Sequence, residues 1–365
     1  MLAQTPPMGW NSWNTFGSNI NEQLIFEIAD AMVDKGYRDA GYEYLVIDDC
    51  WSCRERDRSG KLVADPEKFP HGMKYVADYV HSKGLKFGMY SAAGIMTCAG
   101  YPGSYGHEYQ DAHTFAEWGV DYLKYDLCHY PGSGDVRNSY LTMSMALRST
   151  GREILFAGCT CGTYDPWDWM RSIGAHMYRS HADITDEYEA FRYIAQTQLP
   201  NFKYSGPGCF NDMDMLVVGM GGEGNVSHTG GCTDEEYLMH FSLWCLWGTP
   251  LMMGADIRNV NEYCRSVMLN RELIALNQDP DARAPFYEEK QRYASKARMG
   301  LLKFLANGEI VIAYYNFDIN PLQVLLYFDD YGIPGGSNYG LELTDILTGE
   351  NIGVKFDCYN PTLPG

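Results

Sequence analysis

The chain has no apolar stretch approaching the ~18 residues that a membrane-crossing helix needs, which excludes a helical span. Its first residues, Met1-Leu2-Ala3-Gln4-Thr5, carry neither the basic nor the apolar region of a secretion signal. The reading is a soluble protein, cytoplasmic as the chain stands and secreted if a leader has been removed. Positive charge is scarce: 28 Lys and Arg face 47 Asp and Glu, a formal net charge of −19. No Lys/Arg block or basic stripe interrupts that excess, so a phosphate backbone would be repelled and nucleic acid is excluded as a partner. Two close cysteine pairs within one short module, as a zinc ribbon needs, are also missing. Cys50-x-x-Cys53 and Cys159-x-Cys161 lie more than 100 residues apart in strand-like contexts. That argues for buried thiols packing as small hydrophobes rather than for a metal site. The odd count of 11 cysteines leaves at least one thiol unpaired.

What the chain does have is apolar content, 45% over 365 residues, enough for one large domain with a small one or for two ordinary ones. Aromatics make up 14%, a level that suits core packing and sugar stacking equally. Strand-like runs at 8–13, 42–49, 85–91, 122–126, 154–157, 175–179, 214–218 and 251–255 alternate with amphipathic stretches. Those stretches lie at 21–36, 72–83, 111–119, 135–150, 186–198, 233–246 and 261–276. Eight strands with intervening helices predict an α/β fold of the (β/α)8 TIM barrel type, with an open doubly wound sheet as the rival.

After Asn277-Gln278-Asp279-Pro280 the texture changes. Short runs at 299–304, 310–317, 322–328, 341–347 and 354–358 are separated by turn residues such as Asn307-Gly308, Gly335-Gly336 and 347–351. This predicts a barrel over 1–283 and a C-terminal antiparallel β-sandwich domain over 284–365. Because the chain stops at Pro364-Gly365, the sandwich is expected to lack a final strand, through truncation or disorder.

The segment Gly219-Met220-Gly221-Gly222-Glu223-Gly224 matches G-x-G-x-x-G after an apolar run. A dinucleotide site would open a helix at the third glycine and place an acidic residue on a second strand about 20 residues on. Neither is present, so the segment reads as a flexible surface loop, and no cofactor is expected. Asn225-Val226-Ser227 is a formal glycosylation sequon whose use depends on a secretory route.

The strongest chemical signal is the placing of carboxylates. Lys124-Tyr125-Asp126 closes one strand candidate, Asp48-Asp49-Cys50-Trp51 another, and Tyr90 stands near the end of a third. Parallel barrels keep their chemistry at this end. A retaining glycosidase needs one carboxylate as nucleophile and a second, about 5 Å away, as acid and then base. Asp126 suits the first role, with Lys124 on the same strand face to hold it ionised. Asp183, after Arg179, suits the second, each carboxylate raising the other's hold on a proton. A purely local ion pair between Arg179 and Asp183 is the competing reading.

Ordered segments along nearly the whole chain resemble glycoside hydrolase family 27, the family of α-galactosidases and α-N-acetylgalactosaminidases. They include Met8-Gly9-Trp10-Asn11-Ser12-Trp13, Ile47-Asp48-Asp49-Cys50-Trp51, 64–72, 81–86, 97–104, Lys124-Tyr125-Asp126, Arg179-Ser180-His181-Ala182-Asp183-Ile184, 206–216 and 277–280. The resemblance implies a barrel with a β-sandwich, and hydrolysis by double displacement with retention. It assigns Asp126 as nucleophile and Asp183 as acid/base. Asp48 and Asp49 would bind the sugar's O4 and O6, Trp13 and Tyr90 would be pocket aromatics, Lys124 would bind ring hydroxyls, and Arg179 would reach the O2 side. Cys98 joins the substrate-binding set and matches a family disulfide with Cys128, whereas the family partner of Cys50 is absent. Thr160 stands where galactosidases carry Glu or Gln against the sugar's 2-substituent, and with Thr163 it leans toward a roomier pocket. The expected substrate is therefore an α-galactoside, or alternatively an α-N-acetylgalactosaminide, as oligosaccharide or glycoconjugate. A non-catalytic sugar-binding protein would be marked by a missing carboxylate, and both are present. Linkage and oligomeric state are not encoded in any of these motifs.

Overall fold

The computed structural model describes residues 2–364 apart from 133, 199, 288–297, 333, 335, 337 and 338. Two compact units emerge, Met1–Ala284 and Pro285–Gly365.

In the first unit the strands are β1 (Met8–Asn11), β2 (Tyr44–Val46), β3 (Lys86–Ala92), β4 (Tyr122–Asp126), β5 (Leu155–Cys159), β6 (Met177–Arg179), β7 (Phe210–Asp212) and β8 (Leu251–Met253). They form one parallel sheet in the order β7-β6-β5-β4-β3-β2-β1-β8. Beyond β7, the Leu216 amide donates to the Met252 carbonyl at 2.7 Å, and the Gly254 amide donates to the Leu216 carbonyl at 2.9 Å. This single parallel bridge joins the two ends of the sheet, as a (β/α)8 barrel requires.

The seventh strand corrects the sequence reading, which placed it at 214–218. The run Met215–Val218 is buried and apolar, so composition alone suggests a strand. Asp214, however, adopts φ +81°, a left-handed turn that ends pairing with β6 at Asp212. Only Leu216, beyond that turn, reaches β8.

Strand residues are buried on both faces, as expected of a parallel sheet covered by helices. Tyr44, Val46, Tyr122, Leu155, Ala157 and Met177 fill the barrel interior. Their neighbours Leu45, Leu123 and Phe156 alternate to the other face and are equally buried.

The helices are α1 (Trp13–Phe16), α2 (Glu22–Asp34), α3 (Met73–Ser82), α4 (Glu108–Trp118), α5 (Val136–Ser149), α6 (Pro166–Trp169), α7 (Tyr188–Thr197), α8 (Asp234–Trp247), α9 (Glu262–Met268) and α10 (Arg271–Asn277). Side-chain caps fix several starts: Asn21 accepts from the Leu24 amide, and Thr233 with Glu236 forms a reciprocal capping box on α8. A cap also splits the helix expected at 261–276. Asn270 accepts from the amides of Glu272 and Leu273 and so restarts the chain as α10. Among the described residues no helix is long and apolar enough to cross a membrane.

The glycine-rich segment is a loop, with Gly219, Gly221, Gly222 and Gly224 all at positive φ. Two of its amides are already committed, Gly221 to the Tyr237 hydroxyl and Gly222 to the Asp186 carboxylate. Its continuation reaches inward, where Val226 lines the cleft, so the segment is more than surface loop.

Among the described residues every strand pair of the second unit is antiparallel. Strands β9 (Phe286–Tyr287), β10 (Arg298–Phe304) and β11 (Ile310–Asn316) form one sheet in the order β11-β10-β9. The pairs β12 (Leu322–Gln323) with β17 (Thr362–Leu363), β13 (Leu326–Tyr327) with β16 (Cys358–Tyr359), and β14 (Leu341–Thr344) with β15 (Asn351–Lys355) complete it. The run expected at 322–328 is thus broken into two short strands. The turn expected at 347–351 closes through the Asp345 and Gly349 amides, whereas Gly335 of the Gly335-Gly336 turn lies outside the described residues.

Candidate active site

The carboxyl ends of the barrel strands converge on one cleft made of two adjoining chambers that share Lys124, Arg179, Asp214 and Met215. One chamber is open to solvent and lined mostly by polar side chains. Trp13, Asp48, Asp49, Tyr90, Cys98, Lys124, Asp126, Arg179 and Asp183 all line that chamber, so nine of the ten residues singled out from the sequence come together. Thr160 does not. It is buried, and its hydroxyl donates to the Thr163 carbonyl at 2.7 Å while the Thr163 hydroxyl donates to the Thr160 carbonyl at 2.6 Å. The pair staples a turn.

Asp126 is the last residue of β4. It accepts from the Leu127 amide at 2.8 Å and from the Tyr90 hydroxyl at 3.2 Å. Burial, and after it the negative charges of Asp126, Asp49 and Asp48, hold the Tyr90 phenol well above its ordinary range, so Tyr90 stays a donor. Its hydroxyl also meets the Cys98 sulfur at 3.2 Å. Cys98 is bonded to Cys128, which ties the loop after β3 to the segment after β4.

The Lys124 ammonium feels the Asp126 carboxylate, as its place on the same strand face suggests, but its hydrogen bond goes elsewhere. It donates to Asp48 at 2.8 Å, and Asn11 donates to the same oxygen at 2.7 Å. Burial opposes the charge on Lys124, but the carboxylates of Asp48 and then Asp126 outweigh it and hold the ammonium protonated. Lys124 and Asp126 share a strand face, yet a side chain as long as lysine crosses the barrel interior to Asp48. Asp49 accepts from the amides of Ala99 at 2.9 Å and Cys50 at 2.7 Å. Burial raises its carboxyl, with those amides and the Thr97 hydroxyl opposing.

On the other side, Arg179 ends β6 and bridges two carboxylates, Asp183 at 2.6 Å and Asp214 at 2.9 Å. The local Arg179–Asp183 ion pair is therefore real, and it coexists with a cleft position. Asp183's side chain is 72% exposed, whereas that of Arg179 is 5% exposed, so a buried guanidinium holds an accessible carboxylate at the rim. The Arg179 charge pulls the Asp183 carboxyl below its usual range, where the sequence suggests that it would be raised.

Sequence reasoning missed four contributors. Asp214 receives Arg179 and the Ile184 amide at 2.7 Å. Asp212 lines the adjoining chamber. Asn14 lines the cleft, and its buried side-chain nitrogen has no hydrogen-bond partner. Cys159 ends β5, its sulfur 3.7 Å from that of Cys161. The Asp212-x-Asp214 spacing at a strand end was the available signal, the same one that exposed Asp126.

Asp212 gives a stability prediction. Burial pushes its carboxyl up to about 6, against the pull of Arg179. The folded state then binds this proton more tightly than the unfolded chain, so this group's contribution to stability falls as pH rises from about 4 to about 6, by up to ~3 kcal/mol. Asp212→Asn mimics the neutral form and keeps the oxygen that accepts from the Asp214 amide. It should melt above the native protein at pH 8 and lose that advantage at pH 4; thermal scans giving the same difference at both values would refute the assignment.

The model of the family described as Alpha galactosidase A matches residues 5–279. An alpha-galactosidase A of Cellvibrio japonicus is 47% identical over 289 residues, covering 76% of this chain and 68% of that protein. An alpha-galactosidase of Cyamopsis tetragonoloba is 50% identical over 279 residues, covering 76% of this chain and 65% of that protein. The chain thus spans about two thirds of the length of these relatives. The structure of an alpha-galactosidase from Saccharomyces cerevisiae with raffinose superposes with a TM-score of 0.89 at 30% identity, over 100% of this chain and 96% of that one. The chain belongs to the alpha-galactosidase A family, within glycoside hydrolase family 27.

Proposed function

We propose that the protein removes terminal, non-reducing α-D-galactosyl residues from oligosaccharides or glycoconjugates by double displacement, with Asp126 as nucleophile and Asp183 as acid/base. The observation that carries this reading is the unlike setting of the two carboxylates in one cleft. Asp126 is buried and fixed by Tyr90 and Leu127, as a nucleophile aimed at one carbon must be. Asp183 stands exposed at the rim, where the leaving group and then water have access.

In the first step Asp126 attacks the anomeric carbon while Asp183 gives a proton to the departing oxygen; in the second, Asp183 takes a proton from water, which displaces Asp126. Free Asp183 is ionised by Arg179 and so starts as a base. A sugar seated over it removes its water, and desolvation pushes the carboxyl back up, so protonation accompanies binding. Asp48 and Asp49 supply fixed acceptors for the sugar hydroxyls, and Lys124 a half-buried donor.

The N-acetylgalactosamine alternative rests on the small residues Thr160 and Thr163, whose hydroxyls are each held by the other's carbonyl. Close relatives named as alpha-galactosidases support the galactoside. Nitrophenyl α-galactoside should be turned over at least about 100-fold more efficiently than its α-N-acetylgalactosaminide. Equal kcat/KM on the two, or a preference for the second, would overturn the assignment.

A further inference from the structure

We propose that Cys159, Cys161 and Asp126 form a site for a thiophilic divalent cation such as zinc, and that the bound cation blocks the sugar cleft. The blockade rests on the placement of galactose over Asp126; the ligand set does not.

The geometry comes first. A tetrahedral zinc with Zn–S bonds of about 2.3 Å holds two sulfurs about 3.8 Å apart. The Cys159 and Cys161 sulfurs are already 3.7 Å apart. An Asp126 oxygen and both sulfurs lie within 4.8 Å of one another. A zinc-bound oxygen and sulfur would be about 3.6 Å apart, so a contraction of roughly 1 Å, reachable by side-chain torsion, completes three ligands. Water can take the fourth position, or Asp183, whose Oδ1 is 4.0 Å from the Cys161 sulfur.

The chain presents these sulfurs from a fixed frame. Cys159 belongs to β5, and Cys161 follows in a left-handed conformation at φ +49°, inside the turn that the Thr160–Thr163 hydrogen bonds staple. Gly162 lets that turn pack on the next strand's exit, since a Cβ there would meet the Ser180 carbonyl oxygen at 2.6 Å. Cys161 is exposed, which gives a cation its entry. Arg179 and Lys124 are nearby positive charges that would oppose it, but the guanidinium is paired with both Asp183 and Asp214 and the ammonium with Asp48. Among the described residues the other comparable group is Cys98, Asp126 and Cys128, whose sulfurs are bonded to each other and offer no thiolate. Binding would displace the thiol protons to solvent and occupy the Asp126 oxygen needed for attack on the sugar.

The test uses the full chain with the Cys98–Cys128 disulfide intact and Cys159 and Cys161 as free thiols, and zinc chloride alone. Zinc should inhibit galactoside hydrolysis competitively with galactose and reversibly by EDTA. Cys161→Ser should weaken the inhibition constant at least tenfold, each variant being referred to its own uninhibited rate, whereas Cys232→Ser should leave it unchanged. Independently of activity, cobalt(II) should give the intense visible bands of a tetrahedral thiolate site, lost in Cys161→Ser and displaced by galactose. Undiminished zinc inhibition of Cys161→Ser, or cobalt bound without a thiolate band, would overturn the proposal. A thiolate band that galactose does not displace would overturn the blockade, and the failure would then lie with the sugar placement.

Discussion

Asp126→Asn is expected to abolish turnover, by a factor on the order of 10⁴ or more, while leaving the melting temperature close to native. The substitution changes little volume, and the remaining side-chain oxygen still accepts from the Leu127 amide. What it removes is the negative oxygen that forms the bond to the anomeric carbon, so the first displacement has no nucleophile. Azide entering the space beside the substituted side chain would approach the face of the sugar that Asp126 attacks, and rescued turnover should yield β-galactosyl azide. A near-native rate, or an α-configured azide product, would show that Asp126 is not the nucleophile.

Asp183→Ala separates substrates by their leaving group. A nitrophenolate departs without a proton, so its first step should be affected little. A natural galactoside needs that proton, and its kcat/KM should fall by about 10²- to 10⁴-fold. The native pH profile carries a second signature. Because Arg179 lowers the free Asp183 carboxyl, kcat/KM for a natural galactoside should climb toward acid, with an alkaline limb lying low. Because the bound sugar desolvates Asp183, the alkaline limb of kcat should lie higher than that of kcat/KM. Equal losses on both substrates after Asp183→Ala, with coincident limbs in the native protein, would make Asp183 merely a partner that positions Arg179.

Much of this architecture is legible in the sequence because parallel strands buried on both faces leave a strong apolar signal, and a carboxylate at the end of such a run breaks it visibly. Asp126, Asp48, Asp49 and Tyr90 stand out for that reason. Long-range pairing is less legible. Nothing local shows that Lys124 reaches Asp48, 76 residues earlier, or that Arg179 divides itself between a neighbour four residues on and Asp214. Backbone handedness is equally hidden, since an aspartate at φ +81° leaves the apolar run around it unchanged, and the seventh strand is misplaced as a result. The mutual hydrogen bonds of Thr160 and Thr163 are hidden for a related reason, since a small residue in a loop carries no local sign of its partner.

The central claim is that a covalent galactosyl intermediate forms on Asp126. A fluorinated α-galactosyl fluoride, which enters the first step and leaves the second slowly, should trap it. Peptide mapping by mass spectrometry after inactivation should then find one galactosyl adduct, on the peptide holding Lys124-Tyr125-Asp126, at Asp126. An adduct on Asp183 or another residue, or turnover that yields inverted β-galactose with no adduct at all, would contradict the account.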